Sequence, residues 1–204
     1  MMAVMTALRS LTLCDSLERL LASLWELNLR YLMLGHVKHV DTLPGICARL
    51  TSLETLRIAG CDTMQELPTL SLMTSLTLLA LCECPLIKLL SCVKSLTAMR
   101  QLSLGYLINF TRLPCLGGMS MLQHLSLYNL GCLVELLSSI SLLTNLRLLT
   151  LDHCDGITDL PSMSKMWSLE VLRICYCYAL QNLPPRMDAL TALRTYGTDI
   201  SGES

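Results

Sequence analysis

Residues 50–68 read LTSLETLRIAGCDTMQELP, and the spacing of their apolar side chains decides the fold. Leu53, Leu56 and Ile58 stand in an L-x-x-L-x-L arrangement, Cys61 follows eight positions after Leu53, and Leu67-Pro68 begins fourteen after it. In an extended segment Leu56 and Ile58, two positions apart, point to one side of the strand and Arg57 to the other. Proline cannot donate a backbone hydrogen bond and pushes the residue before it toward extended geometry, so the chain turns at Leu67-Pro68 instead of entering a long helix.

The arrangement recurs from one end of the chain to the other. Its first residue is Leu8, Leu29, Leu53, Leu76, Met99, Leu122, Leu146 and Leu169, with a ninth, partial copy from Leu193. The Leu-Pro step repeats in phase at Leu43-Pro44, Leu113-Pro114, Leu160-Pro161 and Leu183-Pro184, while Leu90 and Leu136 keep only the leucine. The intervals between successive starts all fall in the window of leucine-rich repeats. One such unit cannot bury its leucines alone; stacked units bury a continuous core. The expectation is therefore an α/β solenoid, a horseshoe with a parallel concave sheet. Its convex segments, such as GICARLTS or SSISLLTN, are short helical, 3₁₀ or irregular. Positions 1–204 are expected to form a single leucine-rich-repeat domain, with about eight full repeats and a partial C-terminal one.

Composition agrees with that architecture. The chain is 52% hydrophobic with a mean hydropathy of +0.53, which raises the question of a membrane span. The longest uncharged window, Leu113 to Val134, contains Pro114, Gly117, Gly118, His124, Asn129 and Gly131 in repeat phase, so it does not read as a span of about 20 apolar residues. The N-terminal MMAVMTALRSLTLCDS has no basic residue ahead of its apolar stretch and is interrupted by Arg9, unlike a secretion signal. A net charge of −1, from 15 basic and 16 acidic residues, leaves no electrostatic footprint for nucleic acid. We expect a cytoplasmic protein with a protein partner, no nucleic acid and no membrane.

The eleven cysteines read as reduced thiols. Cys61, Cys84, Cys154 and Cys177 all lie eight positions into their units, where the chain leaves the strand and a small, weakly polar side chain suits an inward site. C-x-C occurs at Cys82–Cys84 and Cys175–Cys177, but Cys82 and Cys175 belong to the exposed phase, so each pair diverges and no metal site is expected. No phosphate-binding, zinc-protease or nucleophile-elbow motif is present, and carboxylates such as Glu54, Glu66, Glu83, Glu135 and Asp159 fall in different phases. The reading is of a non-enzyme without cofactors.

The exposed phase is where recognition is expected, because solenoids bind on that surface. It carries Tyr106, His124, Tyr128, Asp152, His153, Arg173 and Tyr176 along the later repeats. Tyrosine and arginine are enriched at interface hot spots, and aromatics make up only 4% of this chain. At the N-terminal end, positions 1–7 carry no charge and are too few for a capping helix, which points to self-association through the first repeat or to a cap supplied by a longer protein.

The composite pattern L-x-x-L-x-L-x-x-C-x-x-[LIM]-x-x-L-P, carried almost whole by residues 50–68 and by WSLEVLRICYCYALQNLPPRMDALTALR at 167–194, resembles the repeat region of plant intracellular nucleotide-binding immune receptors. The resemblance implies a recognition or autoinhibitory surface in defence signalling. The nucleotide-binding domain of that family is absent from this sequence, so the resemblance reaches the repeats alone, as a fragment or a stand-alone relative. The competing expectation is a structural, self-assembling solenoid module.

Overall fold

A computed structural model describes residues 7–14, 27–37, 50–64, 70–85 and 95–199. Nine short strands form one parallel sheet: β1 Ser10–Cys14, β2 Tyr31–Gly35, β3 Thr55–Ala59, β4 Leu78–Cys82, β5 Gln101–Gly105, β6 His124–Tyr128, β7 Leu148–Asp152, β8 Val171–Cys175 and β9 Thr195–Asp199. Each pairs with the next in chain order. Every strand begins two positions into its repeat, and equivalent residues face one another, as Leu102 faces Leu125 and Leu125 faces Leu149. The repeat period thus becomes the sheet register.

The remainder of each turn is nearly free of helix. Two short 3₁₀ segments, Ser138–Leu142 and Met187–Ala189, lie wholly within the described residues. The first falls in SSISLLTN, as its lack of room for a full helix requires; most of GICARLTS lies outside the described residues. In the fifth repeat Met99, Leu102, Leu104, Leu107, Phe110, Leu113, Leu116 and Met119 are all buried. After the strand the inward residues come every third position, and tight turns enforce that step. The Phe110 N–H donates to the Leu107 carbonyl, Met119 to Leu116 and Leu122 to Met119. The same step recurs as Ile157 to Cys154 and Leu180 to Cys177. Each donor is thereby satisfied within its own turn, which a dry core demands.

One position of the Leu-Pro step departs from its buried equivalents Leu113, Leu136 and Leu160. Leu183 is 40% exposed, and Pro184 takes the inward place. The repeat that starts at Leu169 is one position longer than the commonest spacing, and its extra residue falls between Leu180 and Pro184. Pro184, Met187 and Leu190 then resume the step of three. Arg186, at φ 63°, supplies the left-handed bend that follows. Among the described residues, no helix is long and apolar enough to cross a membrane.

Candidate functional site on the open face of the sheet

The strands point residues at their second and fourth positions into the core and the other three outward, as in β6, where Leu125 and Leu127 are buried beneath His124, Ser126 and Tyr128. The open face is therefore assembled from alternate residues of successive rungs. The residue after each strand, from β2 to β8, has left-handed backbone: His36, Gly60, Glu83, Tyr106, Asn129, His153 and Tyr176, with φ between 50° and 61°. Only glycine, and to a lesser degree asparagine, adopts this geometry readily. What holds the others is the ladder. The His36 N–H donates to the Ala59 carbonyl of the next rung, Glu83 to Gly105, Tyr106 to Tyr128, Asn129 to Asp152 and His153 to Cys175, at 2.8–3.2 Å. The bend turns these side chains to the rim of the face and turns the following residue inward.

That following residue is the cysteine phase. Cys61, Cys84, Cys154 and Cys177 are buried. Each thiol lies within bonding distance of the carbonyl two positions earlier: Cys84 to Cys82 at 3.1 Å, Cys177 to Cys175 at 3.4 Å, Cys61 to Ala59 and Cys154 to Asp152 at 3.7 Å. Cys61 and Cys84, and likewise Cys154 and Cys177, occupy the same buried position on neighbouring rungs. The neighbouring thiol, with burial adding to it, holds Cys84 and Cys154 above the ordinary thiol range. Cys82 and Cys175 are half-exposed on the other side of the strand, so each C-x-C pair does diverge. No group of three or more potential metal ligands occurs among the described residues.

On the rim the expected residues form two contact sets. Tyr106 and Tyr128 meet edge to face with ring centroids 5.7 Å apart and planes at 78°. His153 and Tyr176 stack at 4.6 Å with planes tilted by 32°, while the His153 Nδ1 lies 2.7 Å from Asp152 Oδ1. The carboxylate anchors the imidazole, whose ring then carries the tyrosine. His124 and Arg173 are outward on β6 and β8 but join neither set.

Tyr128 is the most constrained of these residues. Its ring lies across the neighbouring rung over Gly105, where an added Cβ would fall 1.9 Å from the ring edge. The phenol meets the side chains of Cys82 and Ser103, and burial, with Cys82 adding to it, raises its pKa. Sequence reasoning named Tyr128 but missed this seat. Aligning the repeats shows it, because Gly105 and Tyr128 occupy the same strand position on adjacent rungs. Ile108 and Tyr178, both exposed, extend the rim and were also missed, although they share a repeat phase two positions beyond the left-handed one.

No family profile matches the chain, and no characterised protein matches it by sequence. Solved structures do. This chain has the leucine-rich-repeat fold. The leucine-rich-repeat domain of the type III effector XopL is 25% identical with a TM-score of 0.54, covering 72% of this chain and 60% of that domain. A leucine-rich-repeat protein of Leptospira interrogans is 20% identical with a TM-score of 0.63, covering 97% of this chain and 62% of that one. The structure of a TDR receptor is 20% identical with a TM-score of 0.65, covering 96% of this chain and 35% of the receptor. The chain thus spans about six tenths of the first two and about a third of the last.

Proposed function

We propose that this solenoid is a non-enzymatic protein-recognition scaffold whose partner engages the rim and open face of β5–β8. The observation that carries the reading is the pairing of aromatic side chains there: exposed Tyr106 with half-buried Tyr128, and exposed Tyr176 with an imidazole anchored by Asp152. Rings fixed by their neighbours lose little freedom on binding, and this lowers the cost of association. The left-handed bend after the strands, held at six of them by a residue other than glycine, places a side chain on the rim, and Tyr106, His153 and Tyr176 stand there.

The finer reading is a cytoplasmic role in plant-type defence signalling, as a stand-alone relative or as a fragment with an autoinhibitory part in a larger receptor. The repeat pattern at 50–68 and 167–194 supports it. The test is a pull-down comparing the wild-type chain with a Tyr106→Ala, Tyr176→Ala variant, each checked for folding by circular dichroism. A partner retained by the wild type and lost by the folded variant supports the proposal. A partner held equally by both moves the interface elsewhere.

Self-association through the N-terminal repeat is a second reading. Leu11 and Leu13 of β1 pack on the core yet remain only partly buried, unlike their counterparts on β2–β8. Light scattering across a concentration series, with Leu11→Lys and Leu13→Lys as the surface test, decides it. Assembly that the lysines abolish supports it, and a strictly monomeric wild type opposes it.

A further inference from the structure

We infer that the open face accepts an extended acidic segment of a protein partner, laid across the strands, with one carboxylate at Arg57 and a second at Arg173. The inference rests on the recognition reading above and specifies the partner's chemistry.

The central outward position of the strands forms one row. From β3 to β8 that row reads Arg57, Ala80, Ser103, Ser126, Thr150 and Arg173. Four small neutral residues thus separate two arginines, and no side chain between them is larger than threonine. The flanking rows stand higher, with Leu78, His124 and Leu148 on one side and Tyr128 on the other, its phenol reaching the edge of the floor at Ser103. The result is a shallow trough running across the strands, floored by small side chains and closed at each end by a guanidinium.

Both arginine side chains are exposed, and neither guanidinium has an ion pair or hydrogen bond among the described residues. The acids nearby are committed elsewhere: Glu54 pairs with Arg30 at 3.1 Å, Glu170 with Arg147 at 3.7 Å, and Asp152 with His153. Within the strands from β3 to β8, Asp152 is the sole carboxylate, and Glu83 stands beyond them on the rim. Among the described residues no carboxylate is paired with either guanidinium group, which leaves both open to a ligand's carboxylates. A planar guanidinium fork suits a carboxylate in two-point contact.

Spacing sets the length. Five strand-to-strand steps of about 4.8 Å place the two arginines about 24 Å apart, which an extended chain rising about 3.4 Å per residue covers in about seven residues. The hydroxyls of Ser126 and Thr150, which have no hydrogen bond among the described residues, lie along the intervening floor and can bond the segment's backbone. A polyphosphate strand fits less well, since such ligands are held by many cations and this chain's net charge is −1.

The experiment is selection of random twelve-residue peptides displayed on phage against the immobilised full chain, repeated on Arg57→Gln and Arg173→Gln variants. An oligothymidylate is tested alongside as a nucleic-acid probe. Both arginines are exposed, so the variants keep the core, and circular dichroism checks this. The expected result is enrichment of peptides with two Asp or Glu residues about seven positions apart. Binding of the enriched peptides should fall tenfold or more in each variant and weaken with salt. Enrichment with no acidic pair, or binding unchanged by the variants, overturns this inference while leaving the recognition face standing. Failure to enrich any peptide overturns both, and preferential binding of the oligothymidylate overturns the peptide assignment.

Discussion

Replacing Gly105 by alanine should change sign with the identity of residue 128. Gly105 has ordinary backbone geometry, since Gly60 is the only described glycine with positive φ. A methyl group there would ordinarily stabilise the chain by about 0.4–1 kcal/mol, through the lost freedom of the unfolded state. Tyr128 prevents that gain. The new Cβ would lie 1.9 Å from its Cε2, 2.1 Å from Cζ and 2.4 Å from Cδ2, whereas carbon atoms rest about 3.5–4.0 Å apart. The ring must swing away by roughly 2 Å, giving up its edge contact with Tyr106, worth about 0.5–1.5 kcal/mol, and the packing beneath it. We expect Gly105→Ala to cost about 1–2 kcal/mol in the wild-type background. In a Tyr128→Ala background it should stabilise. Urea unfolding of the four proteins, with a constant slope against denaturant, measures the coupling, expected to be about 2 kcal/mol. Equal effects of Gly105→Ala in both backgrounds would refute the placement of the tyrosine ring.

Other perturbations test other parts of the structure. Cys154→Asp should destabilise by several kcal/mol because it buries an unpaired charge, whereas Cys175→Asp, on the half-exposed side, should cost far less; thermal melts compare them. Glu83→Gly should raise stability by up to about 1 kcal/mol by relieving left-handed strain at φ 51°, and Glu83→Ala should show no such gain in the same melts. Cys84 and Cys154 keep their protons in the folded chain beyond the ordinary thiol pKa of about 8.5. Mass spectrometry after iodoacetamide treatment at pH 9 should find the exposed Cys14 and Cys132 modified and the buried Cys84 and Cys154 protected.

Most of the scaffold is legible in the sequence, because parallel stacking copies one residue pattern into register. Two leucines separated by one residue define a strand and its inward face, and the interval between copies places the next rung on top. The inward cysteines follow from phase alone. Three features resist that reading. The left-handed residue after the strands is more often His36, Glu83, Tyr106 or His153 than glycine, since hydrogen bonding to the next rung, not residue preference, imposes the geometry. The inward shift from Leu183 to Pro184 depends on where a longer repeat inserts its extra residue, and spacing between repeat starts does not locate it. On the open face, phase identifies which residues are outward but not which ones touch. Tyr106 meets Tyr128 because Gly105 leaves room for the ring, and His153 is anchored by the carboxylate beside it.

Hydroxyl-radical footprinting of the chain with and without a captured partner tests the central proposal most directly. Tyr106 and Tyr176, exposed on the rim, should be protected by the partner. Trp167, 59% exposed in the turn segment between β7 and β8, should be oxidised at the same rate in both states. Protection of Trp167 with unchanged oxidation of the two tyrosines would contradict the assignment and place recognition on the turn side of the solenoid.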